Sequence, residues 1–189
     1  MSLVQIQGNA SGTGTLTVAA PNTNTNRTLT LPDNTGTLLS TGSTFAGTGP
    51  AFSAYPNTNH AITNGGYAQI QNNTEEFDTA SRYNNTGATV GGIPAYSFLP
   101  NVEGYYQVSA AAYPFTSTTA TNISIYKNGT TFKTTSNLAS TSSCSISTLI
   151  YFNGSTDYIS AYVYVSGATP LITGLATLTF FQAAFVRAA

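Results

Sequence analysis

The segment 98–109, FLPNVEGYYQVS, restricts the fold more than any other part of the chain. This segment is typical of two consecutive β-strands that are separated by a break at Gly104. A further strand-like segment, TFFQAAFVR at 179–187, lies close to the C-terminal end. Strands at this separation predict an antiparallel β-sandwich whose subunits assemble as trimers.

Short strands separated by turn residues continue along the chain from residue 51. Apolar and polar residues alternate in them, and no stretch shows the spacing of an amphipathic helix. Asn128-Gly129 is the clearest hairpin signal because this pair fits the positive φ angles of a type I′ turn, and Asn153-Gly154 predicts a second hairpin. Many short strands with such turns indicate a sandwich or jelly roll. The predicted strands are 51–55, 67–71, 97–99, 104–112, 120–126, 130–134, 144–152, 157–166 and 175–187.

Charged residues are scarce: they make up 6% of the 189 residues, and the net charge is −1. The charged fraction is about a quarter of the usual share. Such a surface either stays in solution through hydroxyl and amide groups or is covered by other copies, and the second option fits a protein that works in an assembly. The five basic residues are scattered, which argues against nucleic-acid binding. No apolar run approaches the length of a membrane span, and the N-terminus does not resemble a signal peptide.

A short unit recurs three times before residue 51, at 14–18, 27–31 and 36–40. Each copy alternates threonine with aliphatic residues. Three such strands bury too little apolar area to form a core alone, whereas three chains wound around one axis bury more. We therefore expect residues 1–44 to be an attachment arm or stalk, 45–50 a linker and 51–189 the head domain. The aliphatic residues expected to make the contacts of the arm are Leu16, Val18, Leu29, Leu31 and Leu38.

The region after residue 51 resembles the globular heads of complement C1q and of the tumour-necrosis-factor-like jelly rolls. The resemblance rests on three parts in order: FDTASRY at 77–83 followed by Thr86-Gly87, then FLP at 98–100 with GYY at 104–106, and the closing TFFQAAF at 179–185. It implies an all-β jelly-roll sandwich that forms a homotrimer. The collagen-like stalk of the complement family is missing. The metal site of some family members has no matching motif, so no cofactor is expected.

Adjacent aromatic residues agree with a trimer. In 105–106 and 180–181, one residue of each pair can face the core, and the other needs separate cover. A three-fold axis lined by tyrosine and phenylalanine would provide that cover, whereas the alternative is that these are ordinary surface residues. The candidates for the trimer interface are Tyr105, Tyr106, Tyr162, Tyr164, Phe180, Phe181 and Phe185.

The N-terminal segment TLTLPDNTGTL at 28–38 resembles a module of bacteriophage tail-fibre and virion proteins, and the ending AFVRAA at 184–189 is similar to phage versions of this head. The pairing implies a virion protein, assembled in the bacterial host cytoplasm and anchored by its arm to capsid or tail proteins. The preferred role is non-enzymatic decoration or cementing of the capsid. The alternative is a receptor-binding knob of a tail fibre that recognises a host glycan or protein, and a trimeric polysaccharide hydrolase is a third hypothesis.

No group of residues in the sequence is typical of an active site. His60, the single histidine, is expected in a polar loop without a nucleophile elbow, so catalysis is not expected; a zinc site with one histidine from each copy is the remaining alternative. Cys144 is expected to be a buried strand residue rather than a reactive thiol. Glu75, Glu76 and Asp78 lie close together, and a solvated loop is favoured over a calcium site because the alternating oxygen pattern of a calcium loop is missing.

Carbohydrate binding stays open on the sequence alone. Tyrosines beside asparagine and threonine offer flat apolar faces together with hydrogen-bonding groups. The candidate binding loops are 116–121, 137–143 and 166–173 because they are polar and lie at strand ends.

Overall fold

The computed structural model describes residues 49–115, 118–135 and 143–189, together with scattered positions between residues 11 and 28. The five aliphatic residues predicted to make the contacts of the arm lie outside the described residues. The division into arm, linker and head therefore stays a prediction.

In the described residues the chain forms thirteen β-strands and no helix. The strands lie where apolar and polar residues alternate, as the sequence predicts. Their bounds are β1 Ala51–Tyr55, β2 His60–Ala61, β3 Gly66–Gln69, β4 Thr74–Asp78, β5 Tyr83–Asn84, β6 Ser97–Phe98, β7 Glu103–Ala112, β8 Thr118–Lys127, β9 Thr130–Thr134, β10 Cys144–Asn153, β11 Ile159–Gly167, β12 Leu171–Ile172 and β13 Phe180–Arg187.

Two antiparallel sheets pack face to face. The first sheet has the order β10-β7-β13-β1-β4, and the second has the order β5-β6-β11-β8-β9, with β3 also paired to β11. A small third sheet pairs β12 with β2. Strands distant in sequence are neighbours, since β13 lies between β7 and β1. The predicted all-β jelly-roll sandwich is confirmed, and the homotrimer stays a prediction.

The core between the sheets is built from the inward side of each strand. In β11 every second residue from Ile159 to Val165 is fully buried, which is the pattern of a strand with one face on the core. Aromatic rings fill the centre: Phe52 lies 4.5 Å from both Tyr83 and Phe98, measured between ring centroids. Full burial of a side chain of this size contributes about 1.5–3 kcal/mol.

Gly104 lies inside β7, so the prediction of a break in the strand at this position is wrong. Its φ angle is +151°, which residues with a side chain rarely adopt. A Cβ atom there would collide with the carbonyl oxygen of Arg187 and with the ring of Phe185. Glycine at this position allows the end of β13 to lie directly against β7.

The two predicted Asn-Gly turns have different outcomes. Asn128 and Gly129 have φ angles of +53° and +77° and join β8 to β9, so that hairpin is confirmed. Asn153-Gly154 does not form a hairpin, because β10 belongs to the first sheet and β11 to the second. The Asn153 side chain accepts hydrogen bonds from the backbone of the next residues, 155–157, and these bonds shape a longer connection between the sheets.

Several short strands are missing from the sequence prediction: β2, β4, β5 and β12. His60 was expected in a loop but lies in β2, and the acidic stretch 75–78 was expected in a solvated loop but lies in β4, an end strand of the first sheet. Two-residue strands are too short to show alternation, and β4 carries its charges on an edge. The closing strand is shorter than predicted and begins at Phe180, since the Leu175 carbonyl accepts the amides of residues 178 and 179 in a turn.

Candidate interaction surfaces

The seven predicted interface aromatics occupy different environments. Tyr106 and Phe181 are 0% exposed, so they belong to the core of the subunit and are not available to a second copy. Their neighbours Tyr105 and Phe180 lie on the outward side of the same sheet. One member of each pair thus faces the core, and the two outward residues remain candidates for the trimer interface.

The other three candidates are also divided. Phe185 packs against the core, with its ring centroid 5.2 Å from that of Tyr106. Tyr162 and Tyr164 lie on the outward side of the second sheet, opposite the face that carries Tyr105. A single seam formed by all seven side chains of one subunit is therefore excluded by the fold.

The outward face of the first sheet carries a cluster of exposed apolar side chains. Tyr105 and Tyr151 are paired across β7 and β10, with ring centroids 5.7 Å apart, and Leu149 pairs with Gln107 on the same face. We call this surface the first-sheet face. Its large exposed apolar residues are Phe77, Tyr105, Leu149, Tyr151 and Val186, which are 38–57% exposed.

Two shallow depressions mark the first-sheet face. One, of about 320 Å³, is lined by Tyr105, Leu149, Val186 and Arg187. The other, of about 230 Å³, lies beside Phe77. Between the two depressions the side chains are polar and bonded to one another: Ser147 Oγ lies 2.7 Å from the Gln107 amide nitrogen and 2.9 Å from the Ser109 hydroxyl. The face therefore combines large exposed apolar side chains with polar groups that are hydrogen-bonded to one another.

The outward side of the second sheet carries a row of four tyrosine rings. We call it the tyrosine platform; it consists of Tyr67, Tyr126, Tyr162 and Tyr164. Tyr126 stacks on Tyr162 with ring centroids 4.0 Å apart. Tyr67 lies 5.4 Å from Tyr164 and 6.4 Å from Tyr126, so the rings form one continuous row.

The described cysteine and histidine side chains, which could in principle take part in catalysis or bind a metal, are buried or lie far from other such groups. Burial raises the pKa of Cys144 to about 11, and its thiol donates to the carbonyl of Ala112, as expected for a buried strand cysteine. Burial lowers the pKa of His60, against a weaker opposing interaction with the Thr58 backbone. Among the described residues, no three histidine, cysteine or acidic side chains come close enough to hold a metal ion.

The acidic stretch is used structurally. Asp78 accepts hydrogen bonds from the backbone amides of Ala80, Arg82 and Tyr83, and it thereby holds the connection from β4 to β5. Glu76 accepts from the Ser53 hydroxyl at 2.7 Å. Burial, followed by the charge of Asp78, raises the pKa of Glu75.

The predicted binding loops are only partly described. Residues 116–117 and 136–142 lie outside the described part of the chain. Residues 118–121 begin β8, and β12 occupies 171–172 within the third predicted loop. The described part of the chain contains no helix with the length and apolar character needed to cross a membrane.

Searches against models of known protein families and against curated protein sequences found no match. Solved structures do match. Murine APRIL at pH 8.0 superposes with a TM-score of 0.54 and 10% identity, over 71% of this chain and 97% of that one. PRD1 vertex protein P5 superposes with a TM-score of 0.53 and 14% identity, over 76% and 100%. The globular domain of zebrafish complement 1qA protein gives 0.48 and 12%, over 74% and 99%.

The chain has a jelly-roll fold of the tumour-necrosis-factor type. At these sequence identities the likeness establishes the fold and no activity. Tyr67 and Tyr126 of the tyrosine platform were missing from the sequence-based candidates. The platform is visible only once β3 is paired beside β11, because that pairing places Tyr67 opposite Tyr164.

Proposed function

We propose that this tumour-necrosis-factor-type jelly roll is a non-enzymatic structural protein that works as a homotrimer on a virus particle. The observation that supports self-association is the first-sheet face, which gathers five large exposed apolar side chains on one side of the sandwich. An exposed cluster of apolar side chains favours contact with another protein.

A three-fold ring brings a surface patch of one copy against a different patch of the next copy. The first-sheet face is one such patch. The side of the sandwich where the sheets end in β10 and β9 suits the other, because among the described residues each of these strands pairs along one edge only. Phe132 of β9 adds an exposed aromatic ring on this side. Covering this edge with the neighbouring subunit would protect it from uncontrolled strand pairing.

The virion setting is supported by two observations of different kinds. One is the fold likeness to PRD1 vertex protein P5, whose name places that protein at a vertex. The other is the resemblance of the N-terminal segment 28–38 to phage attachment modules. On this basis the arm anchors the head to capsid or tail proteins, and decoration or cementing of the capsid is the preferred role. Three linked arms on adjacent sites would bind more tightly through their effective concentration.

A second role, as a receptor-binding knob of a tail fibre, is favoured by the tyrosine platform. This aromatic surface lies opposite the first-sheet face, so it stays accessible when that face is covered by a second copy. The two roles share the trimeric head and differ in what the exposed surface does.

Self-association is tested by light scattering coupled to size exclusion on the purified full-length chain at micromolar concentration. We expect a mass three times that of one chain. Leu149→Lys places a charge on the first-sheet face and should give single subunits, whereas Leu175→Lys, at a similarly exposed residue outside that face, should remain trimeric. A single subunit for the unmodified protein would refute the homotrimer.

The role on the particle needs a separate experiment. Particles assembled without this protein should lose resistance to heat and osmotic shock if it cements the capsid. If they keep that resistance but fail to adsorb to host cells, the receptor-binding role is correct instead. Breakdown of host polysaccharide by the purified protein would contradict both non-enzymatic roles.

A further inference from the structure

The tyrosine platform combines the two kinds of group that sugars require. Sugar rings have C–H faces that pack on aromatic rings, and hydroxyls that both donate and accept hydrogen bonds. The four tyrosine rings supply flat apolar area and phenol hydroxyls. We propose that the tyrosine platform binds an uncharged oligosaccharide.

Tyr67 lies along the sheet rather than standing away from it. Its backbone pairs with Tyr164 in β11, yet its hydroxyl lies 3.5 Å from the side-chain nitrogen of Asn122 in β8. The side chain therefore spans β11. With 45% of Tyr67 still exposed, the ring offers area to a ligand. Hydrogen bonds with Asn122 first and then with Thr134 lower the pKa of Tyr67 against the opposing effect of burial, which agrees with a hydroxyl held beside these groups.

The platform is held in place before any ligand arrives. Tyr126 and Tyr162 are stacked with an angle of 23° between their rings, and Ser124 donates to the Thr134 hydroxyl beneath the row at 2.7 Å. Tyrosine has few side-chain torsions to order, so it provides a large contact area at a low entropy cost. A ligand thus binds to a surface that needs little rearrangement.

The charges around the platform favour an uncharged ligand. The described polar residues on its outward side are neutral: Gln69, Asn122, Ser124 and Thr134. Of the nearby lysines, Lys127 is paired with Asp157, and the Lys133 ammonium lies over the ring of Phe132. The Phe132 ring leaves Lys133 charged, but Lys133 pairs with the core residue Ile125 and therefore points to the side of the sheet away from the platform. An acidic sugar or a phosphate would thus meet no cation among the described residues of the platform, whereas hydroxyls match amides and phenols.

This proposal does not depend on self-association, since the platform lies on the sheet opposite the first-sheet face and its four rings belong to β3, β8 and β11 rather than to the end strands β9 and β10. It deepens only the second role, in which the head recognises a host surface. Failure of sugar binding would leave the trimer intact, and a monomeric protein could still bind sugar, so the two failures are distinguishable.

The experiment applies the full-length protein to an array of immobilised neutral and acidic oligosaccharides. The neutral oligosaccharide that binds most strongly on the array is then titrated in solution while tyrosine fluorescence is followed. Tyrosine emission can be used because the chain has twelve tyrosines and no tryptophan. We expect binding to at least one neutral oligosaccharide. Tyr67→Ala should weaken it about tenfold or more, a loss equivalent to about 1.4 kcal/mol.

Two control variants distinguish the effect of losing the Tyr67 ring from a general effect of misfolding. Tyr67→Phe keeps the ring and should retain most of the binding, and Phe115→Ala removes an exposed aromatic residue from the connection between β7 and β8 and should change nothing. The proposal is overturned if no neutral oligosaccharide binds, or if Tyr67→Ala and Tyr162→Ala both bind as the unmodified protein does. It is also overturned if Tyr67→Ala changes the mass in solution, because the platform would then be a contact between subunits.

Discussion

The carboxylate of Asp157 lies 2.8 Å from the ammonium group of Lys127, and this ion pair joins two turns of the sandwich. Lys127 ends β8 at the hairpin to β9, and Asp157 lies in the connection from β10 to β11. Asp157 also accepts a hydrogen bond from the Asn128 side chain at 2.8 Å and one from the Asn153 backbone amide at 3.1 Å. One carboxylate thus holds both Asn-Gly turns.

This arrangement predicts a loss of stability in acid. Burial alone would raise the pKa of Asp157, but hydrogen bonds from Lys127, Asn128 and Asn153 outweigh it, so the pKa lies below its ordinary value. Stability from such a group is present above the pKa of the unfolded chain, about 3.9, and is lost as the pH falls through the lower folded value. Part of the free energy of unfolding should therefore disappear below about pH 4.

Asp157→Asn tests this directly. It should cost about 1–3 kcal/mol at pH 7 and should remove the acid-dependent part that Asp157 contributes. Urea unfolding between pH 3 and pH 7 measures both effects. Glu103→Gln is the matched control, since Glu103 is exposed and an amide oxygen can also accept its hydrogen bond from the Tyr151 hydroxyl, and it should cost less stability than Asp157→Asn. Identical profiles for Asp157→Asn and the unmodified protein would contradict the role of the ion pair.

Gly104→Ala should be strongly destabilising. The substitution combines a strained φ angle with a collision against the end of β13, and together these should cost about 2–4 kcal/mol. Gly91→Ala is the matched control, since Gly91 has a φ of +56° but nothing within 4 Å of an added Cβ, and it should cost about 1–2 kcal/mol. Thermal unfolding compares the two, and equal losses would show that the close approach to Arg187 is unimportant.

The fold was largely predictable because its long strands are amphipathic. In β11 the alternation of Ala161, Tyr162, Val163 and Tyr164 shows which side chains face the core. Asn128-Gly129 predicts the hairpin between β8 and β9. Asn153-Gly154 is an equally good turn signal by composition, yet it joins different sheets. The two cases differ in long-range strand pairing, which local sequence does not encode.

The surfaces were less predictable for the same reason. Adjacent aromatic residues indicate that one side chain faces out, but not which one: Tyr105 is exposed, and Tyr106 is in the core. Tyr162 and Tyr105 were assigned to one seam because both are tyrosines in strands. They lie on opposite sheets, and the sheet of each strand depends on the order of pairing rather than on its own residues.

Cys144 should react slowly with thiol reagents. Its side chain is 1% exposed, and burial raises its pKa to about 11, so little reactive thiolate forms near neutral pH. Labelling with an aromatic disulfide reagent at pH 8 should be slow in buffer and rapid in guanidinium chloride. Rapid labelling of the folded protein would mean that β10 opens at this end, where Cys144 pairs with Ala112.

Removal of residues 1–44 should leave a folded head that no longer attaches to particles. The first strand of the sandwich begins at Ala51, and the carbonyl of Pro50 accepts the amide of Phe185 at 3.3 Å, so this truncation keeps every described contact of the sandwich. The first-sheet face is also kept whole, because its large apolar residues lie between Phe77 and Val186. Light scattering should therefore report a trimer of the shortened chain, and co-sedimentation with particles that lack the protein should report loss of attachment. A shortened chain that is monomeric would show that the N-terminal region holds the subunits together, and one that still co-sediments would place the attachment surface on the head.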